Sequence, residues 1–185
     1  VVLIVIELPQ AGECPERDVE LAAGPLAGLR AIAERLPFVD YRLVQVDRAK
    51  GTAFIRQAGA RVHLGGIGKG YAVDRAAAIL RERGFRDFLI QSGGDLYVAG
   101  LNDGAPWQLG IADPRGSGGQ SFATLELSNG TFSTSGDYER FFIKDGVRYH
   151  HLIDPDSGRP AAGTRSVTIV TDSAMLADVL STGVF

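Results

Sequence analysis

Residues 63–84 read HLGGIGKGYAVDRAAAILRERG, and the periodicity of the chain changes inside this stretch. Gly65, Gly66, Gly68 and Gly70 crowd its first half, where backbone can turn tightly and approach a ligand closely. From Gly68 to Arg83 apolar residues recur at helical spacing. Ala72, Val73, Ala76, Ile79 and Leu80 are expected to face inward, with Gly84 as the C-terminal stop. A short strand is expected from Arg61 to Leu64, which makes the glycines a strand-to-helix turn. Such a turn offers an anion unpaired N–H groups and a partial positive charge. The familiar nucleotide motifs do not fit it. A P-loop would need Gly in place of His63 and Ser or Thr in place of Gly70, and a dinucleotide fingerprint beginning at Gly66 would need Gly in place of Tyr71. The glycines by themselves serve equally well as a plain tight turn.

Around this helix the chain reads as β-rich. Val1 to Ile6 is a β-branched run, and Pro25 opens a helix to about Leu36 with Leu26, Leu29, Ile32 and Leu36 on one stripe. Tyr41 to Val46 and Thr52 to Arg56 alternate like a hairpin about residues 47–51. Further strands are expected at Phe88 to Gln91, Leu96 to Ala99, Trp107 to Ala112, Phe122 to Leu127, Phe132 to Ser135, Phe141 to Lys144, Val147 to Leu152 and Arg165 to Val170. Pro114 to Gln120 is a glycine-rich loop, Asp154 to Gly158 is turn chemistry, and Asp172 or Ser173 caps a final helix. Hairpins interrupted by separated helices predict an α+β fold of antiparallel sheets with packed helices, in one domain spanning 1–185. The chain does not begin with Met and stops within an apolar helical pattern, so a piece of a longer protein is expected.

Composition narrows the function. A net charge of −3 and 19 scattered basic residues give no attraction for a polyanion, so nucleic acid is not expected as a partner. The single Cys14 excludes an internal disulfide and any multi-cysteine metal site. No apolar run approaches the roughly 18 residues that span a bilayer.

Three further segments carry chemistry-bearing side chains. In SAMLADVLST (173–182), Asp178 and Thr182 lie four residues apart on a helix, which places two hard oxygens on one face. That pair suits Mg²⁺ when a diphosphate completes the shell, although a solvated Asp178 and a packed Thr182 would account for it as well. In YHHLIDPDSG (149–158), strand alternation sends His150 and His151 to opposite faces, so one of them at most looks into a given site. Either could take a proton from an alcohol, or be a hydrogen-bonded structural histidine. SGGD (92–95) and STSGDY (133–138) read as loops rich in small hydroxyls, able to hold a ribose or a ring edge with Asp95 accepting hydrogen bonds, or simply to turn the chain.

Taken in order, HLGGIGKGYAVD, SGGDLYVAG, STSGDYERFF, YHHLIDPDSGRPA and SVTIVTDSAMLADVLSTGVF resemble the successive motifs of the FAD:protein FMN transferases, the ApbE-like family long described as thiamine-biosynthesis lipoproteins. The resemblance covers roughly Tyr41 to Phe185. It implies a T-fold-like α+β architecture, FAD as donor substrate, and an acceptor protein bearing a target threonine. It also implies Mg²⁺ held by Asp178, Thr182 and the carbonyl of Gly66, with FAD contacts at His63, Lys69, Asp95 and Leu152 and with His151 as the group that activates the acceptor. A place in the bacterial cell envelope follows from it, periplasmic or anchored to the inner membrane by a lipid lost from this chain. The family usually has Asp or Asn where this chain has His63, often Ala where it has Gly68, and Thr-Val-Gly-Pro-Leu where it has Ala22 to Leu26. The resemblance leaves two other readings open: an FAD pyrophosphatase releasing FMN and AMP, and a flavin-binding module without catalysis.

Overall fold

The computed structural model describes residues Val2–Glu7 and 29–185. Cys14, the expected helix start at Pro25 and the Ala22 to Leu26 segment lie outside the described residues. The chain forms two compact units, the larger built on Val2–Glu7, 64–152 and 161–185, the smaller on 29–63 and 153–160.

In chain order the elements are β1 (Val2–Glu7), α1 (Leu29–Ala33), β2 (Val44–Asp47), β3 (Thr52–Ile55), α2 (Gly68–Glu82), β4 (Phe88–Ser92), β5 (Asp95–Ala99), β6 (Trp107–Ala112), β7 (Ser121–Leu127), β8 (Gly130–Gly136), β9 (Phe141–Lys144), β10 (Val147–His150), β11 (Thr164–Thr171) and α3 (Ala174–Val184). The α+β expectation holds. A five-stranded antiparallel sheet runs in the order β1-β11-β8-β5-β4, and β2-β3, β6-β7 and β9-β10 are separate hairpins.

In the smaller unit, Tyr41–Leu43 is a 3-10 turn rather than strand, because the Asp40 carboxylate accepts the Arg42 N–H at 2.8 Å and closes the turn before β2 begins. The expected strand from Arg61 to Leu64 does not form. A 3-10 turn, Leu64–Gly66, stands there instead, closed by the Ile67 N–H on the Leu64 carbonyl, since two consecutive glycines have no side chains to pack on a pleated surface.

In the larger unit, one face of the sheet is covered by α2 and α3 and the other by the β6-β7 hairpin. Val73, Ala77 and Ala174 pack on Tyr97 and Ala99, while Ala177 packs on Val167 and Ile169. Opposite them, Leu96, Val98 and Phe132 meet Leu109, Trp107, Leu125 and Leu127. The buried face of α2 is Gly70, Val73 and Ala77, and the expected inward residues Ala72 and Ile79 are exposed. Contact with α3 turns the helix: a Cβ on Gly70 would stand 2.3 Å from the Ala174 carbonyl oxygen, so only glycine lets the two helices come this close.

Candidate functional site

The polar centre of the larger unit lies where α2, α3, β5 and β8 meet, on the helix-facing side of the sheet. Gly93 and Gly94 form the two-residue turn between β4 and β5, with Gly93 at φ +60°, and they place Asp95 as the first residue of β5, paired with Ser133 of β8. The segments read as loops, Ser92 to Asp95 and Ser133 to Tyr138, are therefore largely strand. The expected strand from Phe132 to Ser135 forms, and β8 runs on to Gly136; Ser92 and Asp95, expected in the turn, join the strands because small polar residues of weak strand propensity are held by their neighbours in the sheet.

Asp95 is fully buried, and it is satisfied on both oxygens: the Ser133 hydroxyl donates to one, and the Lys69 ammonium lies 2.5 Å from the other. The same ammonium is 3.2 Å from Oδ1 of Asp178 on α3, and the Gly70 N–H donates to Oδ2 of Asp178 at 3.1 Å. Asp178 is buried too, so the solvated reading of it fails. Burial works against the charged Lys69, but hydrogen bonds and charge from Asp95, and then from Asp178, outweigh it and hold its pKa above the ordinary lysine value. Thr182 is exposed one turn further along α3. Its hydroxyl lies 3.2 Å from that of Ser135, which also meets Ser181 at 2.9 Å.

Gly66 ends the 3-10 turn that touches both α2 and α3. Cβ atoms on Gly66 or Gly68 would meet nothing within 4 Å, so there is open space beside both. The N-cap of α2, Ile67, provides no side-chain hydrogen bond, and of the first amides of the helix that of Gly70 is taken by Asp178, which leaves those of Gly68 and Lys69 beside that space. Carboxylate, hydroxyl and carbonyl are all hard oxygen donors. Among the described residues no group of three or more His, Cys, Asp and Glu side chains could hold a metal ion. A cation here would complete its shell with water or with the oxygens of a bound phosphate, the usual way of holding Mg²⁺.

Asp74, for which the spacing gave no role, positions α3. It accepts from the N–H groups of Ala174 at 2.7 Å and Met175 at 3.0 Å, and from the Ser173 hydroxyl at 2.9 Å. Ser173 is the N-cap, as expected, and accepts the Leu176 N–H. The carboxylate at the start of α3 thus sets the helix that carries Asp178 and Thr182.

The two adjacent histidines have separate fates. His150 ends β10, is buried edge-on to Phe185 and donates from Nε2 to the Ala161 carbonyl at 3.0 Å; burial pushes its pKa below the ordinary value. His151 is exposed just beyond the strand, and its Nδ1 donates to the Arg140 carbonyl at 3.3 Å, which leaves Nε2 as the free acceptor nitrogen. Leu152 lies beyond the end of β10, where strand had been expected, and is buried while its carbonyl accepts the Ala161 N–H. Lys69, Asp95 and Asp178 are joined by direct hydrogen bonds. His151 and Leu152 belong to the same unit, and His63, exposed, belongs to the smaller one.

The chain matches the family model described as the ApbE family over residues 18–185. It is 35% identical over 170 residues to the FAD:protein FMN transferase of Treponema pallidum, covering 84% of this chain and 47% of that protein. It is 40% identical over 124 residues to the FAD:protein FMN transferase of Vibrio cholerae, covering 66% and 37%. Among solved structures it superposes on the ApbE protein of Thermotoga maritima with a TM-score of 0.77 at 40% identity, over 85% of this chain and 50% of that one. On the flavin transferase ApbE of Vibrio cholerae the TM-score is 0.72 at 33% identity, over 83% and 48%. The chain spans about half the length of the relatives it matches or less.

Proposed function

We propose a function from one premise: the chain belongs to the ApbE family. The reading its residues support best is the phosphoryl-transfer centre of an FAD:protein FMN transferase, which moves FMN from FAD to a threonine hydroxyl of an acceptor protein and releases AMP. One observation carries it: a lysine bridges two buried carboxylates at the start of a helix, beside glycines that leave the backbone open.

Asp178, Thr182 and the carbonyl of Gly66 are the residues that would hold Mg²⁺, whose chemistry is to neutralise charge on a bound diphosphate. Lys69 and the first amides of α2 bind the phosphoryl oxygens and stabilise the charge that grows on them. Asp95 orients Lys69, and Ser133 orients Asp95. Nε2 of His151 takes the proton from the acceptor threonine. The freed oxygen bonds to the phosphorus on the FMN side, and the bond from that phosphorus to the bridging oxygen breaks, its electron pair leaving with AMP. In this reading His63 and the backbone at Leu152 are further FAD contacts, on the family resemblance alone. The protein is also assigned to the bacterial cell envelope, on the same resemblance, and fractionation of cells checks that assignment.

The test is to incubate the protein with FAD, Mg²⁺ and a threonine-bearing acceptor. Flavin fluorescence that stays with the acceptor through a denaturing gel is expected, and its absence rejects transfer. Free FMN and AMP without a labelled acceptor would mean hydrolysis instead. Replacing the base, His151→Ala, is expected to slow labelling by about 10² to 10⁴ while FAD binding persists.

A further inference from the structure

The cation between the two buried carboxylates is the protein's own. Lys69 Nζ lies 2.5 Å from Asp95 and 3.2 Å from Oδ1 of Asp178. The other oxygen of Asp178 is already held by the Gly70 N–H, so Oδ1 is the one left for a metal, and it is the one the ammonium touches. The carboxylates cannot leave: Asp95 is held by its strand and by Ser133, Asp178 by its helix and by Gly70, and both are buried. The lysine side chain is 49% exposed, so it is the mobile partner. Its shorter bond to Asp95 tethers it while the longer one opens.

We propose that Lys69 is the resident counter-ion of the metal site, that it occupies Asp178 before a divalent cation arrives, and that cation binding displaces it from Asp178 while Asp95 keeps it at hand for the phosphates. Two buried carboxylates facing each other without a cation would repel and be costly, so the ammonium keeps the site folded and open to exchange. The displacement weakens metal binding when no substrate is present. It also couples the steps, because the lysine is released toward the diphosphate only once the metal is in place. This rests on the metal-site reading above, and it predicts an effect opposite in sign to that of an ordinary supporting residue.

Titration calorimetry of the chain with Mn²⁺ alone, without FAD, tests it. Lys69→Met is expected to bind Mn²⁺ more tightly than the wild type by about tenfold or more, an effect between those of one charge pair in bulk water and one near a protein surface. Lys69→Arg, which keeps the charge, should bind no more tightly than the wild type, and flavin transfer should fall in Lys69→Met despite its tighter metal. Equal or weaker Mn²⁺ binding by Lys69→Met, with a wild type that binds, overturns the displacement and leaves the metal site standing. A wild type that binds no Mn²⁺ removes both. Should Lys69→Met fail to fold, the ammonium resonance of Lys69 in the ¹⁵N-labelled wild type decides: Mg²⁺ must shift it, and a signal unmoved at saturating Mg²⁺ overturns the inference.

Discussion

Strands β5 and β8 present two unlike faces within one sheet. Toward the β6-β7 hairpin they offer Leu96, Val98 and Phe132, packed on apolar partners. Toward the helices they offer Asp95, Thr131 and Ser133, equally buried and each hydrogen-bonded. Alternation of side chains puts the two sets on opposite sides, so one pair of strands supports the hydrophobic core and the polar centre at once. Burying hydroxyls and a carboxylate is costly unless every one is paired, and here Asp95, Thr131 and Ser133 all are.

The sharpest way to break that division is to alter each face and read both stability and turnover. On the polar side, Asp178→Asn keeps an acceptor for the Gly70 N–H but loses the charge. Flavin transfer should drop about 10³-fold, the scale of several kcal/mol of charge stabilisation, while the free energy of unfolding changes by less than about 1 kcal/mol. On the apolar side, Phe132→Ala should cost about 3–5 kcal/mol in urea unfolding, with transfer per folded molecule unchanged. A large stability loss from Asp178→Asn, or a turnover defect in folded Phe132→Ala, would dissolve the separation of roles.

Asp74 sharpens the comparison at the boundary between the two, because its hydrogen bonds all go to the start of α3. Asp74→Ala should lose about 1–2 kcal/mol as a missing helix cap, and about 10- to 100-fold in Mn²⁺ affinity through the displaced Asp178. Loss of stability with metal affinity intact would reduce it to a cap.

The smallest effect concerns burial itself, tested at His150. Its folded pKa lies below the ordinary 6.5, because burial disfavours the charged ring. The unfolded chain therefore binds the proton more readily. The contribution of the buried neutral ring is complete above about pH 6.5 and is lost as pH falls through the lower folded value. Denaturant midpoints measured between pH 7.5 and 5 should decline, and His150→Asn should flatten part of that decline. A slope identical in both proteins would show that the ring titrates freely.

What the sequence displayed and what it hid follow from range. The helix Gly68–Glu82, the turn at Gly93 and the Asp178/Thr182 spacing are local patterns, each written within a few residues. The rotation of α2 that buries Gly70 in place of Ala72 is not local, since the backbone of Ala174 imposes it. Nor is the role of Asp74, whose partners lie about 100 residues away. Asp95 looked like a turn residue because its strand character comes from pairing with Ser133.

Every bond that assembles the centre between α2 and α3 closes a loop of about 100 residues, from Lys69, Gly70 and Asp74 to residues 173–178. Closing such loops costs chain entropy that is recovered only once the intervening sheet is in place, so these are late contacts. On refolding from urea, the secondary-structure signal should return first and cation affinity last.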